Sequence, residues 1–356
     1  MLTQGTTADD DRVVMAHGGG GTLMRDWIRS HVLPRLGNSV LSPLTDGADL
    51  GVLDGEVVFT TDSFVVSPLK FPGGDIGRLA VCGTVNDLAM MGARPTALSL
   101  GMIVEEGLHL ELLDEVLDSI AAAAAEAGVQ VVTGDTKVIE HRGSLHQAAE
   151  PADGGLLINT AGIGTRQSGW APAAETLAPG DVIVINGNLA EHGLAVMSVR
   201  EGLGFDSTLR SDVAPLNSFV SAVLEAGIRP KFMRDPTRGG LAGVLVDIAE
   251  ASGETVEVEE AALPISTTAR HAAELLGFDP LTVANEGKCV VVVAANDAAP
   301  LIECMRAHPL GRRAAVIGRV IHRRQTHPPV VEMATSAGGR RIVQRPYGEE
   351  LLPRIC

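Results

Sequence analysis

Five aspartates, a lysine, a glutamate and a cysteine carry the chemistry this sequence offers. Asp62 closes the strand-like run EVVFTTDS, and Asp135 closes VQVVTGDT. Asp46 lies in a polar turn, Asp87 interrupts the apolar stretch VNDLAMMG, and Asp235 opens DPTRGG. A strand-end aspartate is commonly a turn or cap residue. Asp87 asks for more, because a carboxylate in apolar surroundings must be paired or bound to metal. No GxxxxGK[ST] motif occurs, and the run HGGGG lacks the ending that would complete one. Carboxylates gathered at strand ends without a P-loop suit a Mg²⁺–nucleotide site, where hard oxygen ligands hold a polyphosphate through the metal. The glycine run reads as a disordered lead or as a flap whose N–H groups close over phosphates. Lys137 in TGDTKV and Glu286 in ANEGKC each sit beside a glycine-bearing turn, where function concentrates. Each reads equally well as a surface charge, with Glu286 paired to Lys288. His17, His141, His146 and His192 show no metal-ligand spacing and read as ordinary. The sequence stops at Cys356, a thiol that packs against little there. Its position is either accidental or that of a carrier.

These residues need elements to hold them. The run from Glu56 to Asp62 reads as a strand, and FPGGDIGRLAVCGTVNDLAMMG as a loop followed by an apolar helix that closes at Gly92. LHLELLDEVLDSIAAAAAEAG is the clearest helix, with Leu110, Leu113, Leu117, Ile120 and Ala124 on one face and Gly128 as its stop. ALSLGMIV, VQVVTGDTKV and LLINTAGIG complete a half of four strands and two helices. TRQSGWAPAAETLAPG is the linker to a second half. The expected divisions are a flexible glycine-rich lead (1–40), an N-terminal domain (41–165), a C-terminal domain (166–335) and a mobile tail (336–356).

The bulk composition narrows the function. At 356 residues and 45% hydrophobic content, the chain suits two ordinary globular domains. A net charge of −16 argues against nucleic acid or an anionic membrane as partner. The polar start has no apolar signal core, and no run approaches the ~20 apolar residues of a membrane span. Four cysteines without CxxC spacing argue against structural zinc or a disulfide framework, so a reducing cytoplasm is expected.

FTTDSFVVSPLKFPGGDIGRLAVCGTVNDLAMMGA, VVTGDTKVI, RDPTRGGL, ANEGK and the final PRIC together resemble the HypE family of hydrogenase maturation factors, the carbamoyl dehydratases. The resemblance runs from about Asp46 to Cys356. The first motif is shared loosely with aminoimidazole ribonucleotide synthetase, selenophosphate synthetase and thiamine-monophosphate kinase, whereas PRIC separates HypE from them. The turn after Lys137, HRGSLHQAAEPADGG, is longer than is usual in the family, and Cys289 stands where an aliphatic residue is usual. The resemblance implies a two-domain α+β fold of the aminoimidazole ribonucleotide synthetase type, with N-terminal sheets pairing across a homodimer. It implies ATP and Mg²⁺, a carbamoyl group loaded on Cys356 by HypF, and cyanide delivered to iron on a HypC–HypD complex. Carried over motif by motif, Asp46, Asp62, Asp87 and Asp235 face Mg²⁺ and phosphates, Asp135 lies beside them, and Lys137 and Glu286 flank the thiol. The alternatives are a kinase of the same superfamily and a thiol carrier without enzymatic activity.

That role has a chemical logic. An amide oxygen leaves poorly, so dehydration of –S–C(=O)NH₂ requires its phosphorylation, a cation near that oxygen, and a base for the nitrogen. The aspartates, Lys137 and Glu286 match the metal, cation and base in that order.

Overall fold

A computed structural model describes residues 11–140, 155–203, 209–323, 328–347 and 354–356. The first domain is built on four strands: β1 (Glu56–Phe64), β4 (Arg94–Glu105), β5 (Gln130–Ile139) and β6 (Leu156–Arg166). They form one sheet in the order β1-β6-β4-β5, antiparallel except for the β4–β5 pair. A two-residue ladder, β2 (Lys70–Phe71) with β3 (Gly74–Asp75), precedes helix α3. Short helices α1 (Thr22–Trp27) and α2 (Leu33–Leu36) lie within the segment expected to be a flexible lead, and Trp27 and Leu36 join the core.

Two long helices cover one face of this sheet. In α4 (Leu110–Ala127), Leu113, Leu117, Ile120 and Ala124 are buried at helical spacing, and Gly128 ends the helix in a left-handed conformation (φ 69°). Helix α3 (Ile76–Met90) begins with Asp75, whose carboxylate accepts from the Arg78 N–H, and is buried almost all round. An all-apolar helix of this kind has neighbours on every side, and α3 lies against β1, β6 and α4 on one side and α6 (Asn217–Glu225) on the other. Thr84 of α3 is hydrogen-bonded to Thr160 of β6. Asn86 donates to the carbonyls of Ala214 and Glu286 and accepts from the Leu216 N–H, which stitches α3 to the second domain.

The second domain holds a seven-stranded sheet: β7 (Val182–Ile185), β8 (Phe232–Arg234), β9 (Thr255–Glu259), β10 (Val290–Val293), β11 (Ala315–Ile321), β12 (Val331–Ala334) and β13 (Arg340–Val343). Its order is β13-β12-β9-β11-β7-β10-β8. Helices α5 (Glu191–Arg200), α7 (Gly240–Ser252), α8 (Thr267–Leu276) and α9 (Ala298–Ala307) complete the domain with α6.

Two further expectations change, and a third falls outside the described residues. Strand β1 continues past Asp62 to Phe64 and β5 past Asp135 to Ile139, so both aspartates stand inside strands rather than at their ends. The region expected to be a mobile tail from 336 contributes β13, which is paired to β12 and closes the sheet edge with Val343 in the core. The long turn after Lys137, with His141 and His146, falls on residues 141–154, outside the described residues.

Candidate active site

Strand parity decides which carboxylates can meet. On β1, residues 58, 60, 62 and 64 point toward α3, while 57, 59, 61 and 63 point to the open face. Asp62 therefore faces α3. Gly83 leaves room there, since a Cβ at that position would come within 2.7 Å of the Phe64 ring and 3.9 Å of the Asp62 carboxylate. One turn on, Asp87 reaches the same space and accepts from the Thr60 hydroxyl at 2.8 Å. Asp235 enters from the turn between β8 and α7, and Glu286 from the turn before β10. These four carboxyl groups line one pocket with Ser63, Thr237, Arg238 and Cys356. Two elements of one domain, β1 and α3, and two turns of the other thus converge on the sulfur.

Like charges in a low-dielectric space cannot all ionise freely. Burial pushes Asp62 up, against the opposing Arg238 charge. Burial also raises Asp87, with the Asp62 charge adding to it. Asp235 is pushed up to about 7 by burial and then by Asp87. Glu286 is raised well above the usual carboxylate range by burial, then by Asp235 and Asp212. Its Oε1 has no hydrogen-bond partner, and the carboxyl group shares a hydrogen bond with the Cys356 thiol. The thiol is itself held well above its ordinary value by burial and the Glu286 charge, with Arg238 opposing.

The turn that carries Glu286 is fixed from behind. Asp212, buried, accepts from the N–H groups of Glu286 (3.2 Å) and Gly287 (3.3 Å) and pairs with Lys288 at 3.0 Å. Against the cost of burial, Lys288 and His192 hold Asp212 below its ordinary value. Lys288 thus answers Asp212, and Glu286 is left for the pocket. A Cβ at Gly287 would fall 1.9 Å from the Asp212 carbonyl oxygen, so only glycine permits this close approach.

The remaining expected residues lie elsewhere. Asp135 and Lys137 stand opposite Gly101 and Ile103 of β4, on the open face of the sheet, and are paired to each other at 2.6 Å. Strand periodicity puts the whole sheet between them and the Cys356 pocket, so Lys137 does not flank the thiol of its own chain. Asp46 and Asp135 line a separate hollow of about 460 Å³ with Arg25, Thr45 and Gly134. Asp46, in the irregular chain before β1, is thus not among the residues that line the pocket of Asp62, Asp87 and Asp235.

Among the described residues, no three His, Cys, Asp or Glu side chains are placed to chelate a metal by themselves. Mg²⁺ rarely asks for such a cage, since it keeps waters and takes phosphate oxygens beside one or two carboxylates. The oxygen-only set of Asp62, Asp87 and Asp235, each raised by its neighbours or burial, fits that demand. No helix among the described residues is long and apolar enough to cross a membrane.

Three residues at the site escaped the sequence reading. Arg238 is the cation of the pocket and lies in the quoted motif RDPTRGGL, yet nothing local separates it from a surface arginine. Asp212 and His192 are single polar residues in loop and helix, without spacing to mark them. The histidine that read as ordinary is buried and bonded to the Ile355 carbonyl at 2.9 Å.

Family models for AIR synthase related proteins match residues 47–165 (N-terminal domain) and 178–329 (C-terminal domain). The chain is 46% identical to carbamoyl dehydratase HypE of Azotobacter vinelandii, covering 97% of both proteins. It superposes on a crystal structure of hydrogenase maturation protein HypE in complex with ATP with a TM-score of 0.88, at 41% identity and covering 96% of this chain and 99% of that one. A HypE chain solved in a HypE–HypF complex matches with a TM-score of 0.73 and 42% identity over 92% of this chain and all of that one (100%). With two AIR synthase related domains, full-length kinship and a thiol among carboxylates in one pocket, the chain belongs to the HypE family of carbamoyl dehydratases, which act in hydrogenase maturation.

Proposed function

We propose that the chain carries a carbamoyl group on Cys356 and uses ATP to dehydrate it to a thiocyanate, the source of cyanide for the iron of a [NiFe]-hydrogenase. The observation that carries this reading is the shared pocket of Cys356, Glu286, Asp62, Asp87, Asp235 and Arg238. The ATP held by the relative described above supports the choice of co-substrate.

The chemistry proceeds in two bond exchanges. The carbamoyl oxygen attacks the γ-phosphorus of ATP, ADP leaves, and an N–H proton departs to give an S–C(=NH)–O–phosphoryl group. The C–O bond then breaks with release of phosphate, while loss of the remaining N–H proton completes C≡N. Glu286, already hydrogen-bonded to the sulfur, is the base for nitrogen, and burial makes it a stronger base than a free carboxylate. Arg238 lines the pocket as the cation that stabilises negative charge growing on oxygen. Asp62, Asp87 and Asp235 would hold Mg²⁺, which when bound offsets phosphate charge and orients the γ-phosphoryl group.

HypF as the loading partner is supported by the HypE–HypF complex of the relative. A HypC–HypD complex as acceptor and a homodimer complete the proposal. Dimerisation is supported by the open sheet face, where Val57 and Phe59 are 56% and 67% exposed. Lys137 projects from that same open face, so its proposed role at the amide oxygen is across the two-fold, toward a second chain. The test loads the chain with carbamoyl groups, adds MgATP, and follows the mass of the peptide containing Cys356. Loss of the mass of one water, dependent on ATP, is expected; ATP turnover with no such loss would sink the assignment.

A further inference from the structure

The segment 354–356 is held by its backbone. The Arg354 carbonyl accepts from the Ser67 N–H at 3.1 Å and from Arg200 Nη2 at 2.7 Å. The same guanidinium donates to the Ser67 carbonyl through Nε (3.1 Å) and Nη2 (2.7 Å), so one arginine joins both peptides. The Ile355 carbonyl accepts from His192 Nε2 at 2.9 Å. A carbonyl only accepts, so that nitrogen carries the proton. On the other side of the ring, Ser211 Oγ lies 2.8 Å from Nδ1 and accepts from the Val213 N–H, which leaves the serine hydroxyl to donate to Nδ1. The tautomer is thus set by a chain of hydrogen bonds that starts in the main chain. Phe71 meets the ring edge-on at 5.2 Å, and burial lowers the histidine's proton affinity, so the ring is a neutral donor. The Ile355 side chain is 2% exposed within the core of the first domain.

We propose that Arg200, His192 and the Ser67 main chain form a clamp on the 354–356 backbone, and that Arg200 and His192 are positioning residues that set the balance between a docked and a free Cys356. They touch carbonyl oxygens and not the sulfur, so they act on the reaction only through the backbone that carries it. Dehydration requires the docked form, because Glu286 and Arg238 are reached only there. Loading by a partner enzyme requires the free form, because the thiol is otherwise enclosed. This second consequence rests on the function proposed above. The clamp itself does not.

Limited trypsin digestion of the full chain tests the clamp without any assay of the reaction. The Arg354–Ile355 bond is cleavable only in a released segment, so release of the peptide that follows Arg354 reports the free fraction. A hydrogen bond contributes enough to change this fraction roughly 2–10-fold. Arg200→Ala should raise the cleavage rate about 2–10-fold with unchanged melting temperature. Ile355→Ala should raise it together with a lower melting temperature, because a core side chain is truncated. The cleavage rate of His192→Gln should lie between those of the parent and His192→Ala. Ile355→Ala keeps the test open even if the buried histidine variants fold poorly. The proposal is overturned if cleavage in Arg200→Ala and Ile355→Ala stays at the parent rate. The same two variants should slow dehydration once carbamoylated, and speed loading of the free thiol by a partner carbamoyltransferase. Opposite signs mark a clamp; a fall in both rates, with cleavage unchanged, marks a merely structural pair.

Discussion

Glu286 concentrates the conflict between stability and activity in this site. A carboxyl raised by burial and by Asp235 and Asp212 is protonated more readily in the folded chain than in the unfolded one. As the proposed base it acts only once it has lost that proton, so dehydration should accelerate as pH rises above the range in which an ordinary carboxyl titrates. Glu286→Gln keeps the shape without the base, and single-turnover dehydration should fall about 10²–10⁴-fold with ATP binding retained. A near-parent rate in that variant would remove the glutamate from the chemistry. Asp235 gives the matching stability test. Its folded value of about 7 exceeds that of an unfolded aspartate, near 4. The folded chain therefore binds the extra proton between those values, and stability from this group is complete below pH 4 and lost as pH rises through 7. Asp235→Asn should raise the melting temperature of metal-free protein at pH 8, by no more than about 4 kcal/mol of stability, and leave it little changed at pH 4–5. An equal shift at both pH values would deny the carboxyl its strained state. Asp62→Asn and Asp87→Asn should each weaken Mg²⁺-dependent ATP binding, measured by calorimetry with and without the metal. Unchanged affinity in both would take them out of the site.

Helix α3 is the element on which the site depends, because Asp87 and the space above Gly83 belong to it and Asn86 ties it to the turn of Glu286. Gly83→Ala would press a methyl against the Phe64 ring, at a cost of about 1–3 kcal/mol, and push α3 away from β1. Melting should drop by that amount and MgATP binding should weaken with it; a variant with parent stability would show that the helix has slack. Much of this element was legible in the sequence. The apolar stretch ending at Gly92, the amphipathic face of α4 and its glycine stop follow from periodicity and turn chemistry. The parity of β1 and β5 was written in the sequence too, but which face the helices cover is a tertiary fact, and it sends Asp62 and Lys137 to opposite sides. Strands β12 and β13 escaped notice because they are short, and β13 carries arginines at 340 and 341 where an edge strand tolerates them. His192 escaped because its partner, the Ile355 carbonyl, is 163 residues away and carries no side-chain signature.

At the scale of the molecule, the open face of the first sheet poses the question that one chain leaves unanswered. Val57 and Phe59 of β1 are 56% and 67% exposed there, and Ile103 of β4, 41% exposed, stands opposite Lys137. Exposed apolar side chains on an uncovered sheet face support an interface, and Phe59→Asp should convert the proposed dimer to a monomer in sedimentation or light scattering. The position of Lys137 then becomes a question of which chain it serves. If it acts across the two-fold, Lys137→Ala and Cys356→Ala should each be inactive as homodimers. A mixed dimer would then hold one complete site, since the Cys356→Ala chain supplies the lysine to the thiol of the Lys137→Ala chain. Unfolding and refolding the two variants together, or exchanging subunits at low concentration, should therefore restore MgATP-dependent dehydration on the Lys137→Ala chain alone, which mass analysis distinguishes from its partner. If the lysine served its own thiol, no mixture would contain a complete site and activity would stay absent. Restoration separates the two geometries because each variant alone lacks a group that only the other can give: the sheet parts Lys137 from its own Cys356, and only a dimer that brings the open face of one chain to the pocket of the other would let it act on a thiol.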